Sequence, residues 1–337
     1  MSPTPAQEQL LRACFIPAAA AGVDTAQVDE ASLRLLPLLY RRRGREEGRP
    51  VYLVLWSQNQ QRIAQAAELV QAFAQAGIDS LLLKGLAVTI SHYRDAGLRA
   101  MGDIDLLVRA EDVGEAAEVL QRAGWKAEGG LSTREILRQR RVRHAWQFSR
   151  GAEESCDLHW RPVVRCFSPL VDEWFRRDAV PAELAGVRAK VPCPTDQFFH
   201  ACVHGAQWNW TPQIRWIADA LVILESGPVD AARLRALAAE ADMTVRLGHA
   251  LDYLRWRFDA RIPDCLPARL PKWEEREHIV LQKPCPLGVR DSVQWHWWNL
   301  RRIRQFDRVG LAEYLALFLH HQGAGLLGEV WRRLRAV

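Results

Sequence analysis

Gly102-Asp103-Ile104-Asp105-Leu106-Leu107-Val108 is the stretch on which the reading of this chain turns. Alternate residues of a β-strand point to the same face, so Asp103 and Asp105 project side by side. Two carboxylates that close repel one another unless a cation lies between them. Hard divalent cations such as Mg²⁺ take oxygen ligands of this kind. Read alone, the pair also fits one aspartate capping a turn and the other facing water. The apolar run Leu106-Leu107-Val108 favours a buried strand that holds its acidic end rigidly.

Working outward, Leu81-Leu82-Leu83-Lys84-Gly85-Leu86 reads as strand, turn and helix start. A glycine there lets backbone N–H groups approach a phosphate, and the helix N-terminus adds partial positive charge. Lys84 would add a full charge; a surface lysine before a tight turn fits equally well. Arg94 and Arg99 lie between the two pieces, within reach of phosphates or on an ordinary solvated loop. Downstream, Cys156-Asp157-Leu158-His159-Trp160 puts Asp157 and His159 on one strand face. Asp157 from a neighbouring strand would complete a two-metal site, ligating the metal under the nucleophile or taking its proton. The alternative is a strand-end residue paired with an arginine. Cys156 is expected on the opposite face, packed and inert.

The remainder of the chain sets bounds. Its 337 residues are 49% hydrophobic and 25% charged, which excludes a disordered or fibrous chain. A net charge of +5 is too mild for a dedicated DNA-coating protein. Only five of the 45 basic residues are lysines, so a well-placed lysine carries information. Seven cysteines without a C-x-x-C argue against a zinc ribbon or disulfide framework and for a reducing cytoplasm. The first residues lack a basic-then-apolar leader pattern, and Leu311–Leu319 falls short of the ~20 apolar residues of a membrane span. A soluble, cytoplasmic protein is expected.

The periodicities give helices over 24–40 and 52–76, with a charged loop at 41–48. Strands at 79–83 and 103–108, a helix over 112–123 and a hairpin of 143–149 with 154–160 follow. Helices are expected at 195–208, 213–226, 230–240 and 243–257, then a proline-rich connection over 259–290 and an amphipathic region over 291–335. Three segments result: an N-terminal helical segment 1–76, an α/β core 77–192 and a helical C-terminal domain 193–337.

Taken as a set, Lys84-Gly85, Tyr93, Gly97-Leu98-Arg99, the Gly102–Val108 strand, Gly124-Trp125 and Asp157-Leu158-His159-Trp160 resemble the uncharacterised bacterial nucleotidyltransferase family of the DNA polymerase β superfamily. His204 and Arg215-Trp216-Ile217-Ala218-Asp219 fit as well, and the likeness spans roughly residues 35–260. The resemblance implies an α+β fold: a polymerase-β-like core of a small mixed sheet with flanking helices, plus N-terminal helices and a helical C-terminal domain. It implies transfer of an NMP from an NTP, with ATP favoured, to a hydroxyl-type acceptor on a small molecule, peptide or protein, with release of pyrophosphate. Asp103, Asp105 and Asp157 match the superfamily's catalytic and metal-binding acids, holding Mg²⁺ or Mn²⁺. Lys84-Gly85 stands where the superfamily usually has Gly-Ser, so Lys84 would replace the serine's phosphate contact. His204 becomes a cleft residue near the base or the acceptor.

Other residues were open to two readings. His200 and His204 share a helix face but lack the adjacent glutamate of a zinc protease. Arg215 and Asp219, four apart, read as a surface ion pair, or Arg215 faces the nucleotide cleft. Trp208, Trp210, Trp216, Trp256, Trp295, Trp297 and Trp298 are mostly packing core, and one of the last three is expected to be exposed. With Arg301, Arg302 and Arg304 nearby, that corner suits a partner or an anionic surface. The alternative function is a non-catalytic nucleotide-binding or RNA-binding module on the same core; a nucleic-acid partner is compatible with the Trp/Arg content but not favoured.

Overall fold

The computed structural model describes residues 3–22, 28–205, 214–282 and 289–322. Four helices come first: α1 (Pro5–Phe15), α2 (Glu30–Leu33), α3 (Leu36–Arg43) and α4 (Arg49–Gln75). Pro50 sits in the first turn of α4, where its missing N–H costs nothing, so the helix begins ahead of the expected residue 52. Of the single helix expected at 24–40, residues 24–27 lie outside the described residues, and the rest forms two helices broken by the turn at Arg34-Leu35.

The α/β portion runs β1 (Ser80–Leu82), α5 (Lys84–Val88), a π-turn at Thr89–Tyr93, β2 (Ile104–Val108), α6 (Val113–Arg122), β3 (Lys126–Ala127), α7 (Thr133–Gln139), β4 (Ala145–Arg150) and β5 (Glu154–His159). The five strands form one sheet in the order β1-β2-β5-β4-β3. β1 and β2 are antiparallel, β2 and β5 parallel, and β5 returns along β4 as the expected hairpin. The one parallel pair is the consequential one. Its register sets Asp105 opposite Asp157 and Leu107 opposite His159.

β2 is buried along its whole length. Ile104, Leu106 and Val108 enter a core shared with α4 and α6, together with Cys156 and Leu158 of β5. Cys156 therefore lies on the packed face, away from the acids. Leu107 packs on the other side against Leu81 and Leu83. A rigid apolar strand thus fixes the position of the carboxylates at its start.

Next come α8 (Pro169–Arg177) and a hairpin of β6 (Val180–Leu184) and β7 (Val187–Val191), none of which the sequence patterns indicated. The helical part is α9 (Pro194–Gly205), α10 (Arg215–Ser226), α11 (Ala231–Glu240), α12 (Thr244–Phe258), α13 (Lys272–Leu281), α14 (Val289–Phe306) and α15 (Leu311–Gln322). α13 lies within the stretch expected to be a plain connection. Leu10, Leu11, Leu38 and Leu39 share a second core with α9–α12, including Phe198, Phe199, Ile217 and Leu251. Gly205 permits the close α9–α10 approach, since a Cβ there would lie 2.0 Å from the Cβ of Trp216. No helix among the described residues is long and apolar enough to cross a membrane.

Candidate active site

A cavity of about 210 Å³ opens where the acidic end of β2, the β1–α5 turn, α9 and α10 converge. Its wall includes Lys84, Gly85, Arg99, Asp103, Asp105, His204 and Arg215. These residues come from places up to 131 positions apart, and the antiparallel β1–β2 pairing and the packing of α9 on α5 and of α10 on α9 bring them together.

Asp105 is the centre of the arrangement and is 1% exposed. Lys84 Nζ donates to its Oδ1 at 2.6 Å. His159 Nε2 is 2.9 Å from the same oxygen. An ionised carboxylate only accepts, so Nε2 carries the proton and donates. Burial alone would raise the Asp105 carboxyl, but the Lys84 charge and the His159 hydrogen bond outweigh it and hold the group well below the usual carboxylate range. Lys84 is raised in turn: burial disfavours its charge, and the charges of Asp105 and Asp103 more than compensate.

Asp157, more open than Asp105, lies 3.9 Å from Lys84 Nζ. Burial and the neighbouring Asp105 charge raise its carboxyl, although His159 and Lys84 work against the shift. Asp103, half-buried in the cavity wall, is raised for the same first reason, burial, and then by Asp105. Asp105, Asp157 and His159 offer ligand atoms that all lie within 4.8 Å of one another. Carboxylates on adjacent strands, one held from behind by an imidazole, suit a hard divalent cation.

Gly85 is packed tightly against Arg99 and Met101. A Cβ on it would come within 2.6 Å of an Arg99 guanidinium nitrogen and 3.0 Å of Met101 Cγ. Lys84 itself adopts φ +43°, the left-handed region that a lysine rarely occupies.

The basic residues divide. Arg99 donates from Nε and an Nη to the two oxygens of Asp219, both at 2.8 Å. Tyr93 Oη donates to Asp219 at 3.0 Å. Asp219 therefore binds Arg99, 120 residues away, and not its helix neighbour Arg215. The surface ion pair expected at 215 and 219 is replaced by a buried one. Arg215 instead donates to the Ala100 carbonyl at 2.8 Å, and burial followed by the Arg99 charge lowers it to about 10. Arg94 lies outside the cavity wall, its Nε donating to the Ser91 carbonyl.

His204 lines the cavity with His200, their rings stacked at 5.5 Å. Burial lowers His200 to about 3 and His204 well below its ordinary value, so both are neutral at pH 7. Sequence reasoning missed Gln197 and Asp219 as cavity residues. For Gln197 no local signal exists; for Asp219 the pairing with Tyr93 and Arg99 needed the fold. In the aromatic corner, Trp297 is exposed and Trp298 buried, in line with the expectation that one of these tryptophans faces outward. Arg302 is not a surface charge: it is buried and holds Glu277 through two hydrogen bonds. Trp208 and Trp210 lie outside the described residues.

With this geometry in view, comparison with known proteins is decisive on one point. The model of an uncharacterised nucleotidyltransferase family matches residues 45–259. The chain belongs to that family. The matched span holds every acid and base of the cavity described above. No curated protein matches the chain. Among solved structures, it is similar to ANT(2'')-Ia crystallised in complex with adenylyl-2''-tobramycin, at 13% identity and TM-score 0.38, covering 54% of this chain and 97% of that one. A solution structure of the antibiotic-resistance factor ANT(2'')-Ia matches at 14% identity and TM-score 0.39, covering 58% and 99%. An antigenic nucleotidyltransferase-like protein from Paracoccidioides brasiliensis matches at 14% identity and TM-score 0.39, covering 62% and 96%.

Proposed function

We propose that this nucleotidyltransferase transfers an NMP from an NTP, with ATP the favoured donor, to a hydroxyl on a small molecule, peptide or protein, releasing pyrophosphate. The observation that carries the reading is the gathering of Asp103 and Asp105 with Lys84 and Gly85 in one cavity wall, with Asp157 just outside it, 3.9 Å from the Lys84 ammonium. Asp103, Asp105 and Asp157 would hold the divalent cations, Mg²⁺ or Mn²⁺. Bound there, the metal supplies charge neutralisation at the phosphates and acidifies the acceptor hydroxyl. Lys84 and the backbone at Gly85 grip the triphosphate, with Arg99 and Arg215 in the same cavity wall. His159 keeps Asp105 ionised and oriented. Asp157, on the strand beside Asp105, would take the hydroxyl's proton. The acceptor oxygen bonds to the α-phosphorus as the α–β anhydride bond breaks, and positioning and charge provide most of the acceleration.

In this arrangement segment 77–192 grips the nucleotide, and the helical segment 193–337 supplies His204 and the acceptor side. The test is incubation with each α-³²P-labelled NTP and a cell extract. Wild type should label an acceptor and release pyrophosphate, and Asp103→Asn should do neither. Equal labelling by that variant refutes the reading.

A further inference from the structure

We infer that Lys84 is an internal stand-in for the metal: its ammonium occupies the acidic site until a nucleotide's phosphates draw it off. This rests on the proposed nucleotidyl transfer and adds a rule for the order of loading. Lys84 Nζ lies 2.6 Å from Asp105 Oδ1 and 3.9 Å from Asp157 Oδ2, bridging the two acids that face each other across β2 and β5. A cation cannot use the same Asp105 oxygen while the ammonium sits on it. The side chain is only 17% exposed, so water contributes little screening.

The backbone supports a built device. Lys84 holds φ +43°, a conformation that costs a non-glycine residue energy and persists only where its surroundings fix it. That twist, between extended Leu83 and the first turn of α5, aims the side chain back at β2. The lysine also borders the cavity, so a triphosphate entering beside Gly85 meets the ammonium directly. Phosphate oxygens and the acids then compete for one lysine. When the phosphates win, Asp105 and Asp157 lose the ammonium, Asp105 keeping only its His159 hydrogen bond, and attract the metal. Metal and nucleotide therefore bind with positive coupling, and by linkage each tightens the other.

The experiment is Mn²⁺ binding by electron paramagnetic resonance on the full chain, without nucleotide, for wild type, Lys84→Met and Lys84→Arg. Lys84→Met keeps the side-chain length and removes the charge. It should bind Mn²⁺ roughly 10- to 100-fold more tightly than wild type, the usual range of a coupling between sites. Lys84→Arg should remain weak. Mn²⁺ alone should also raise the melting temperature of Lys84→Met and not that of wild type. A second measurement needs no variant: saturating Mn²⁺ should free the amine of Lys84 in wild type and speed its acylation, mapped by mass spectrometry. Unchanged Mn²⁺ affinity in Lys84→Met, or unchanged acylation at saturating Mn²⁺, overturns the inference. If wild type still binds Mn²⁺ with ATP present, the nucleotidyl-transfer reading survives that failure. If Mn²⁺ binds neither protein under any condition, both fall.

Discussion

Replacing Asp219 with alanine should unfasten the cavity wall. Asp219 accepts two hydrogen bonds from Arg99 and one from Tyr93, and the Arg99 and Asp219 side chains are only 10% and 6% exposed. At that burial the pair belongs to the regime in which losing one partner costs about 3–5 kcal/mol, because the remaining charge is stranded. The Tyr93 hydroxyl loses its acceptor as well, a further cost of about 1 kcal/mol or more. For a chain of this size the loss corresponds to a fall in melting temperature on the order of 10 °C. The assay is thermal unfolding followed by circular dichroism, with Asp219→Leu combined with Arg99→Met as the control. Removing both partners leaves no stranded charge, so the double variant should recover most of the loss. A fall under ~2 °C for Asp219→Ala, or a double variant as unstable as the single, would mean that no buried charge is stranded by the loss of Asp219.

Further outcomes follow from the same geometry. Gly85→Ala sets a Cβ 2.6 Å from Nη1 of the Arg99 guanidinium, a planar group that Asp219 holds by its other two nitrogens, so it should cost about 1–3 kcal/mol of stability and weaken nucleotide binding, read by melting and by calorimetry with ATP. Glu274, buried and accepting from the Val245 N–H at 2.9 Å, is raised by burial from its ordinary 4.5 to about 7. The folded state holds that proton more tightly than the unfolded chain, so its contribution is fully present below about pH 4.5 and is lost as pH rises to 7. The loss approaches about 3 kcal/mol at ~1.4 kcal/mol per pH unit. Glu274→Gln keeps an acceptor for Val245 and should flatten this part of the stability profile; an unchanged profile in urea melts from pH 4 to 8 contradicts the assignment.

What was legible in the sequence was local. The period-two acids, the apolar run behind them and the glycine after Lys84 each announce themselves within a few residues, and so do the β4–β5 hairpin and α6. The β6–β7 hairpin does not. Pro181 within β6 argues against a strand, and its turn uses Ala185 at φ +49° with Gly186, not an Asn-Gly signal. The Asp219 pairing shows a different limit. Spacing alone offers Arg215 as partner, because a sequence displays only near neighbours along a helix. Arg99 reaches Asp219 only after α10 docks beside the β1–β2 connection. Lys84 was visible as a basic residue at a phosphate turn, but its seat on Asp105 depends on a backbone dihedral that no residue pattern encodes.

In the function proposed above, Asp103, Asp105 and Asp157 gather divalent metal against a nucleotide. Mn²⁺ uptake in the presence of ATP, compared between wild type, Asp103→Asn and Asp157→Asn, tests it without knowledge of the acceptor. Protein-bound Mn²⁺ should be present in wild type and lost in both variants, each still folded by circular dichroism. Variants that bind Mn²⁺ with ATP as tightly as wild type would contradict it.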